Sequence, residues 1–183
     1  DKKVFSFASI PEMYDRTITV NGVAKAFAMT GWRIGYIGAP DWIAKACNKI
    51  QGQITSGANS IAQRATIAAL DASPEKIKYM VDEFKKRRTI ILRLLSKIQG
   101  VKTNIPEGSF YVFPDISSFF GKTIKNKKIN DSNDFALLLL EKAHVATVAG
   151  EPFGNPNCIR ISYAASIKDI ERAIERIKIV LKE

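Results

Sequence analysis

The chain has 183 residues, 46% of them hydrophobic, and a formal net charge of +10. That length holds one sizeable core and at most part of a second, and no run of about 18 apolar residues is present to cross a membrane as a helix. Cys47 and Cys158 lie too far apart in sequence to suggest a disulfide framework or metal site, and a His-based triad has only His144 to draw on.

Val4–Ala8 and Thr17–Val20 are β-branched or aromatic runs that read as strands, with room for a short helical turn near Pro11. Ile34–Gly38 is a third strand, stopped by Ala39-Pro40-Asp41. Asp41 is positioned to cap a helix over Trp42–Gln51, and after a loop at Thr55–Asn59 a second helix runs from Ser60 to Leu70. Ser73-Pro74 opens the longest helix and Gly100 ends it. Ile77, Met80, Val81, Phe84, Ile91, Leu95 and Ile98 give that helix one apolar stripe. At about 25 residues it would reach nearly 40 Å, long enough to join two lobes. Strands follow at Val101–Asn104 and Ser109–Phe113, then a polar, lysine-rich surface loop at Gly121–Asn133. A helix over Asp134–His144 buries Phe135, Leu138 and Leu139. Strands Ala146–Ala149 and Cys158–Tyr163 flank a turn, and Ser166–Lys182 closes the chain as an amphipathic helix.

The N-terminal Asp-Lys-Lys-Val-Phe-Ser-Phe lacks the apolar core of a signal peptide. With two distant cysteines, this reads as a cytoplasmic protein with reduced thiols. The positive charge concentrates in Lys85–Arg88 and in Lys122–Lys128, neither interleaved with aromatics. A solvated helix face explains it better than a nucleic-acid surface, and acidic small-molecule substrates suit it equally well.

Between Arg16 and Arg33, Lys25 is the only charged residue, seated among Ala24, Ala26, Phe27, Ala28 and Met29. One reading is a lysine that snorkels from a buried strand end. The other is an amine that burial keeps neutral, hence nucleophilic toward a carbonyl. Arg160 lies in Cys-Ile-Arg-Ile-Ser-Tyr, an otherwise uncharged strand, and requires a partner there, either a protein carboxylate or a ligand. His144, Trp32 and Tyr36 read as structural or packing residues.

Asn21–Tyr36, Asn-Gly-Val-Ala-Lys-Ala-Phe-Ala-Met-Thr-Gly-Trp-Arg-Ile-Gly-Tyr, closely resembles the pyridoxal-phosphate attachment signature of class I aminotransferases, with lysine and arginine in register. Pro106–Asp115 resembles the small-domain hairpin of that family, and Asn157–Ser166 its strand carrying the substrate arginine. The resemblance implies an α/β fold: the C-terminal part of a fold type I transferase dependent on pyridoxal 5'-phosphate (PLP). Residues 1–73 would end the large domain with its mixed sheet, 74–99 would form the interdomain helix and 100–183 the small domain. It implies that Lys25 forms the Schiff base with the cofactor and moves the substrate proton. Arg33 would bind the cofactor phosphate, Arg160 the substrate α-carboxylate, and Ser56 the phosphate of a neighbouring subunit in a homodimer. No metal, nucleic acid or membrane enters this reading.

Gly22 and Ala24 replace serines common in the family, and Ile50-Gln-Gly-Gln53 lacks the distal-carboxylate arginine of animal-type aspartate aminotransferases. The chain resembles instead the bacterial aspartate aminotransferase subgroup. The implied reaction moves an amino group between an amino acid, aspartate foremost, and a 2-oxo acid, 2-oxoglutarate foremost. Aromatic, alanine or prephenate transamination and a non-catalytic basic binding module are the alternatives. Family members run to roughly twice this length, as two complete lobes require, so the chain is expected to be a C-terminal portion that binds cofactor poorly and turns over little by itself.

Overall fold

A computed structural model describes residues 4–182; residues 1–3 of the first expected domain and Glu183 of the last lie outside the described residues. Two units divide the chain, one ending at Tyr79 and the other beginning at Met80. The division falls inside the longest helix.

In the first unit, strands β1 (Thr19–Gly22) and β2 (Gly35–Gly38) pair antiparallel, with Gly22 opposite Gly35. The first expected strand does not form. Phe7–Ser9 is a 3₁₀ turn, with the Ser9 N–H and hydroxyl donating to the Ser6 carbonyl. A β-branched run becomes a strand only where a ladder partner accepts it, and no described strand lies beside Val4–Phe7. Another 3₁₀ turn, Tyr14–Arg16, occupies the space near Pro11.

Helix α1 (Asp41–Ile54) starts one residue earlier than expected. Pro40 takes the cap position, and Asp41 enters the first turn, where it pairs with Lys45 at 2.6 Å. Helix α2 (Ser60–Leu70) is capped by the Asn59 side chain, which accepts from the Ala62 N–H at 3.0 Å. Helix α3 (Glu75–Leu95) is entered through Ser73, whose hydroxyl accepts from the Glu75 N–H. It ends four residues short of the expected boundary, in turns that lead to Gly100 at φ +91°. Its 21 residues span about 31 Å at 1.5 Å each.

The second unit builds its own core. Ile91, Leu95 and Ile98 pack with Val112, Leu138, Leu139, Ile159, Ile161 and the inner face of helix α5 (Ile167–Leu181). Each such side chain contributes about 1.5–3 kcal/mol of burial. The antiparallel sheet has the order β3 (Tyr111–Val112), β7 (Ile159–Ser162), β6 (Val148–Ala149). Along β7, Ile159 and Ile161 point into the core, which turns Arg160 and Ser162 to the other face. Val101–Asn104 forms no strand beyond a single bridge between Lys102 and Asp115.

The loop expected at Gly121–Asn133 is ordered by a small hairpin, β4 (Thr123–Ile124) against β5 (Lys127–Lys128). Ile124 and Ile129 anchor it in the core. Lys125 and Asn126, both at positive φ, make its two-residue turn. Helix α4 (Ser132–Leu138) continues into a wider π turn at Leu139–Ala143, and His144 closes it in the left-handed region. Arg87 and Arg88, expected on a solvated face, are half-buried. Arg87 Nε donates to Glu83 at 2.9 Å and Arg88 Nη1 to the Pro106 carbonyl at 2.9 Å.

Candidate active site

The connection between β1 and β2 carries Lys25 and Arg33, so strand pairing at Gly22–Gly35 closes both into one loop. A Cβ on Gly22 would meet the Ile34 carbonyl oxygen at 3.1 Å, which explains a glycine at that crossing. Val23 and Met29 are buried at either end of the Lys25 turn and pin it. Inside the turn, Phe27 N–H donates to Val23 and Ala28 N–H to the Lys25 carbonyl. Lys25 itself is exposed. Its apolar sequence neighbours therefore do not supply the burial that was expected to keep it neutral, because Ala26 and Ala28 also face outward.

Arg33 follows a 3₁₀ turn at Thr30–Trp32 and sits at φ +54°. Its Nη1 donates to the Thr30 carbonyl at 2.8 Å, which leaves the rest of the guanidinium facing outward. Ser56, exposed, follows α1 at φ +62°. Ala28, Arg33 and Ser56 are three non-glycine residues in the left-handed region, each at a cost of about 1–3 kcal/mol. Such outliers persist where surrounding structure holds them, and two of them, Ala28 and Arg33, lie in the same β1–β2 connection as Lys25.

An open cleft of 1170 Å³ lies against this loop and is lined by Trp32, Arg33 and Tyr36 together with Asn48, Gln51 and Asn59. Thr55 and Gly57, on either side of Ser56, also line it, whereas Lys25 and Ser56 themselves do not. Trp32 and Tyr36 are thus cleft residues rather than packing residues. The polar wall of Asn48 and Gln51 escaped sequence reasoning, although Ala44, Cys47, Asn48, Gln51 and Thr55 recur at helical spacing.

Arg160, in the second unit, has a partner of a kind not anticipated. Its guanidinium carbon lies 4.5 Å from the Tyr111 ring centre and 4.4 Å from that of Phe153. No carboxylate pairs with it among the described residues. His144 is exposed at the end of its helix, consistent with a structural role. No cluster of three or more metal-binding side chains occurs among the described residues, and no helix there is long and apolar enough to cross a membrane.

Residues 4–177 match the family of class I and II aminotransferases. The chain belongs to that family. It is 51% identical, over 94% of its length, to the bifunctional aspartate aminotransferase and glutamate/aspartate-prephenate aminotransferase of Petunia hybrida, of which it covers 37%. It is 45% identical to the aspartate aminotransferase of Rhizobium meliloti (strain 1021), over 91% of this chain and 41% of that one. The crystal structure of the aspartate aminotransferase from Rhizobium meliloti superposes with a TM-score of 0.90 at 42% identity, over 94% of this chain and 43% of the other. The fold is accordingly part of the fold type I aminotransferase fold, and the chain spans about two fifths of the length of the relatives it matches.

Proposed function

We propose that this chain carries the lysine-bearing part of a PLP-dependent aminotransferase that moves an amino group between aspartate and 2-oxoglutarate. The observation that carries the reading is the family match together with Lys25 and Arg33 held in one loop beside the cleft. The donor set suits the cofactor: a primary amine for an aldehyde, and a guanidinium already fixed on one side by Thr30 for a phosphate. Lys25, Arg33 and Ser56 would hold PLP, which when bound supplies an electron sink for a carbanion at the substrate Cα.

Lys25 Nζ would hold the cofactor and, once displaced from it by the amino group of the incoming substrate, would as a free amine take the proton from the substrate Cα. Arg33 fixes the phosphate end, so that the lysine is not the only anchor. Arg160, with no carboxylate partner among the described residues, receives the substrate α-carboxylate in the plane of its guanidinium. Residues 74–99 serve as the link between the large-domain part and the small domain. The free thiols of Cys47 and Cys158 suit a cytoplasmic setting, and a homodimer is the proposed assembly.

Incubation with PLP, borohydride reduction and peptide mass mapping tests the reading. A single adduct on Lys25, lost in Lys25→Arg, supports it. Adducts spread evenly over the surface lysines count against selective cofactor capture by this chain. Names of relatives favour one second reading: those of Petunia hybrida and Cereibacter sphaeroides include prephenate as well as aspartate. Relative rates from aspartate to 2-oxoglutarate and from aspartate to prephenate separate the two.

A further inference from the structure

We infer that Phe153 and Tyr111 are positioning residues that clamp the guanidinium of Arg160 between two rings and leave only its N–H edge for a carboxylate. The inference rests on the proposed role of Arg160 as the carboxylate-binding residue and extends it to the side chains that set its plane.

The sequence builds this clamp from three separate segments. Tyr111 stands on β3 opposite Ser162, so Arg160, two residues along β7, is its diagonal neighbour on the same face of the sheet. Phe153 ends a 3₁₀ turn, Glu151–Phe153, that leaves β6 and is reversed by Gly154 at φ +82°. The turn is held tightly at its base. The Gly150 carbonyl accepts from the Phe153 N–H at 2.9 Å and the Asn155 N–H at 3.3 Å. A Cβ on Gly150 would run into the carbonyl oxygens of Asn155 and Cys158. Each ring meets another aromatic. Phe113 meets Phe153 edge-on, at 6.3 Å and 86°, and Phe110 lies 4.5 Å from Tyr111.

A guanidinium between two rings gains cation–π attraction on both sides, about 0.5–2 kcal/mol for each ring depending on its exposure. Its five N–H donors all lie in its own plane. With two rings within 4.5 Å of its guanidinium carbon and no carboxylate partner among the described residues, the edge is the direction from which an anion makes two parallel hydrogen bonds. A free arginine side chain would lose rotamer entropy on binding such an anion, and the clamp meets that cost in advance. Phe153 remains 47% exposed, so its outer edge is available to contact the remainder of a bound acid.

Phenylglyoxal, which condenses with the guanidinium nitrogens, tests this on the chain as it stands. Labelling of Arg160 is read by peptide mass spectrometry against Arg172 as internal reference, with and without succinate as the carboxylate probe. The expected result is that Phe153→Leu speeds Arg160 labelling about threefold or more, the size of a lost ring contact. Phe153→Tyr restores the slow rate, which a general loss of packing would not explain. Protection by succinate, present in the parent chain, should weaken in Phe153→Leu and return in Phe153→Tyr. Acceleration without any succinate protection leaves the clamp standing and counts against Arg160 as a carboxylate site. An unchanged rate ratio in both Phe153→Leu and Tyr111→Leu overturns the clamp.

Discussion

The hydroxyl of Tyr163 donates to the Ser109 carbonyl at 2.9 Å, joining residues 54 apart in sequence. The Tyr163 N–H also donates to Phe110, and the ring is 2% exposed. One side chain thus locks the end of β7 to the segment that leads into β3. Tyr163→Phe keeps the ring and removes the bond, and should cost about 1 kcal/mol. Urea unfolding of the second unit, followed by near-ultraviolet dichroism, measures it.

Burial raises the Tyr163 hydroxyl above its ordinary value of 10.0, and the nearby Arg88 opposes the shift only partly. A raised folded pKa means that the neutral form is favoured in the folded state. The stability it contributes is full below pH 10 and is lost as pH rises through the folded value. Tyr163→Phe should therefore flatten the alkaline limb of the stability–pH curve. A curve of unchanged shape between pH 9 and pH 12, a window of about one to two units around the ordinary value, would count against this.

Asp115 gives the opposite limb. The Ser117 hydroxyl donates to its Oδ1 at 2.7 Å and the Ser117 N–H at 2.8 Å, and these bonds hold its carboxyl below 3.8. A lowered folded pKa contributes stability above the unfolded value, which disappears as pH falls through the folded one. Ser117→Ala removes the stronger of the two bonds, so acid unfolding should begin at higher pH. Acid titration of the Asp115 carboxyl by NMR, in both proteins, reads the shift directly.

Gly150→Ala should destabilise the second unit by about 2 kcal/mol or more, the cost of forcing backbone apart in a packed site. Its φ of −82° is one that alanine adopts freely, so the effect comes from the two carbonyl oxygens in the way. A drop in thermal midpoint with faster phenylglyoxal labelling of Arg160 is the expected pair of results.

Asn126→Gly should act in the other direction. Asn126 sits at φ +65° in the two-residue turn of β4–β5. Glycine relieves the left-handed strain there and completes a favoured hairpin turn, worth about 0.5 kcal/mol. Denaturant midpoints at unchanged slope check it.

Helices α1, α2 and α5 were legible in the sequence because helical periodicity and punctuating Asp, Asn, Ser and Pro residues agree over ten or more positions. Membership of the aminotransferase family was legible as well, through the Asn21–Tyr36 motif whose register leaves little freedom. Short elements were not. Val4–Ala8 has strand composition without a described neighbour to pair with. Lys122–Lys128 looked like a solvated run because the two anchoring isoleucines, Ile124 and Ile129, are separated by four polar or charged positions that include a turn made from Lys125 and Asn126 rather than glycine. Arg160 announced that it needed a partner. Which partner depended on β3 lying against β7 and on the turn after Gly150, contacts between distant segments that no local pattern encodes.

Burial is uneven along the chain, and this has a consequence for its susceptibility to proteases. Helix α1 has no buried residue, with Trp42 and Ile54 each 72% exposed, while the second unit encloses a continuous core. Segments that bury little apolar surface open at small free energy, and cleavage follows the opened population. Trypsin should therefore cut first near Lys45, Lys49 and Arg64, and a resistant piece starting within α3 should outlast the rest.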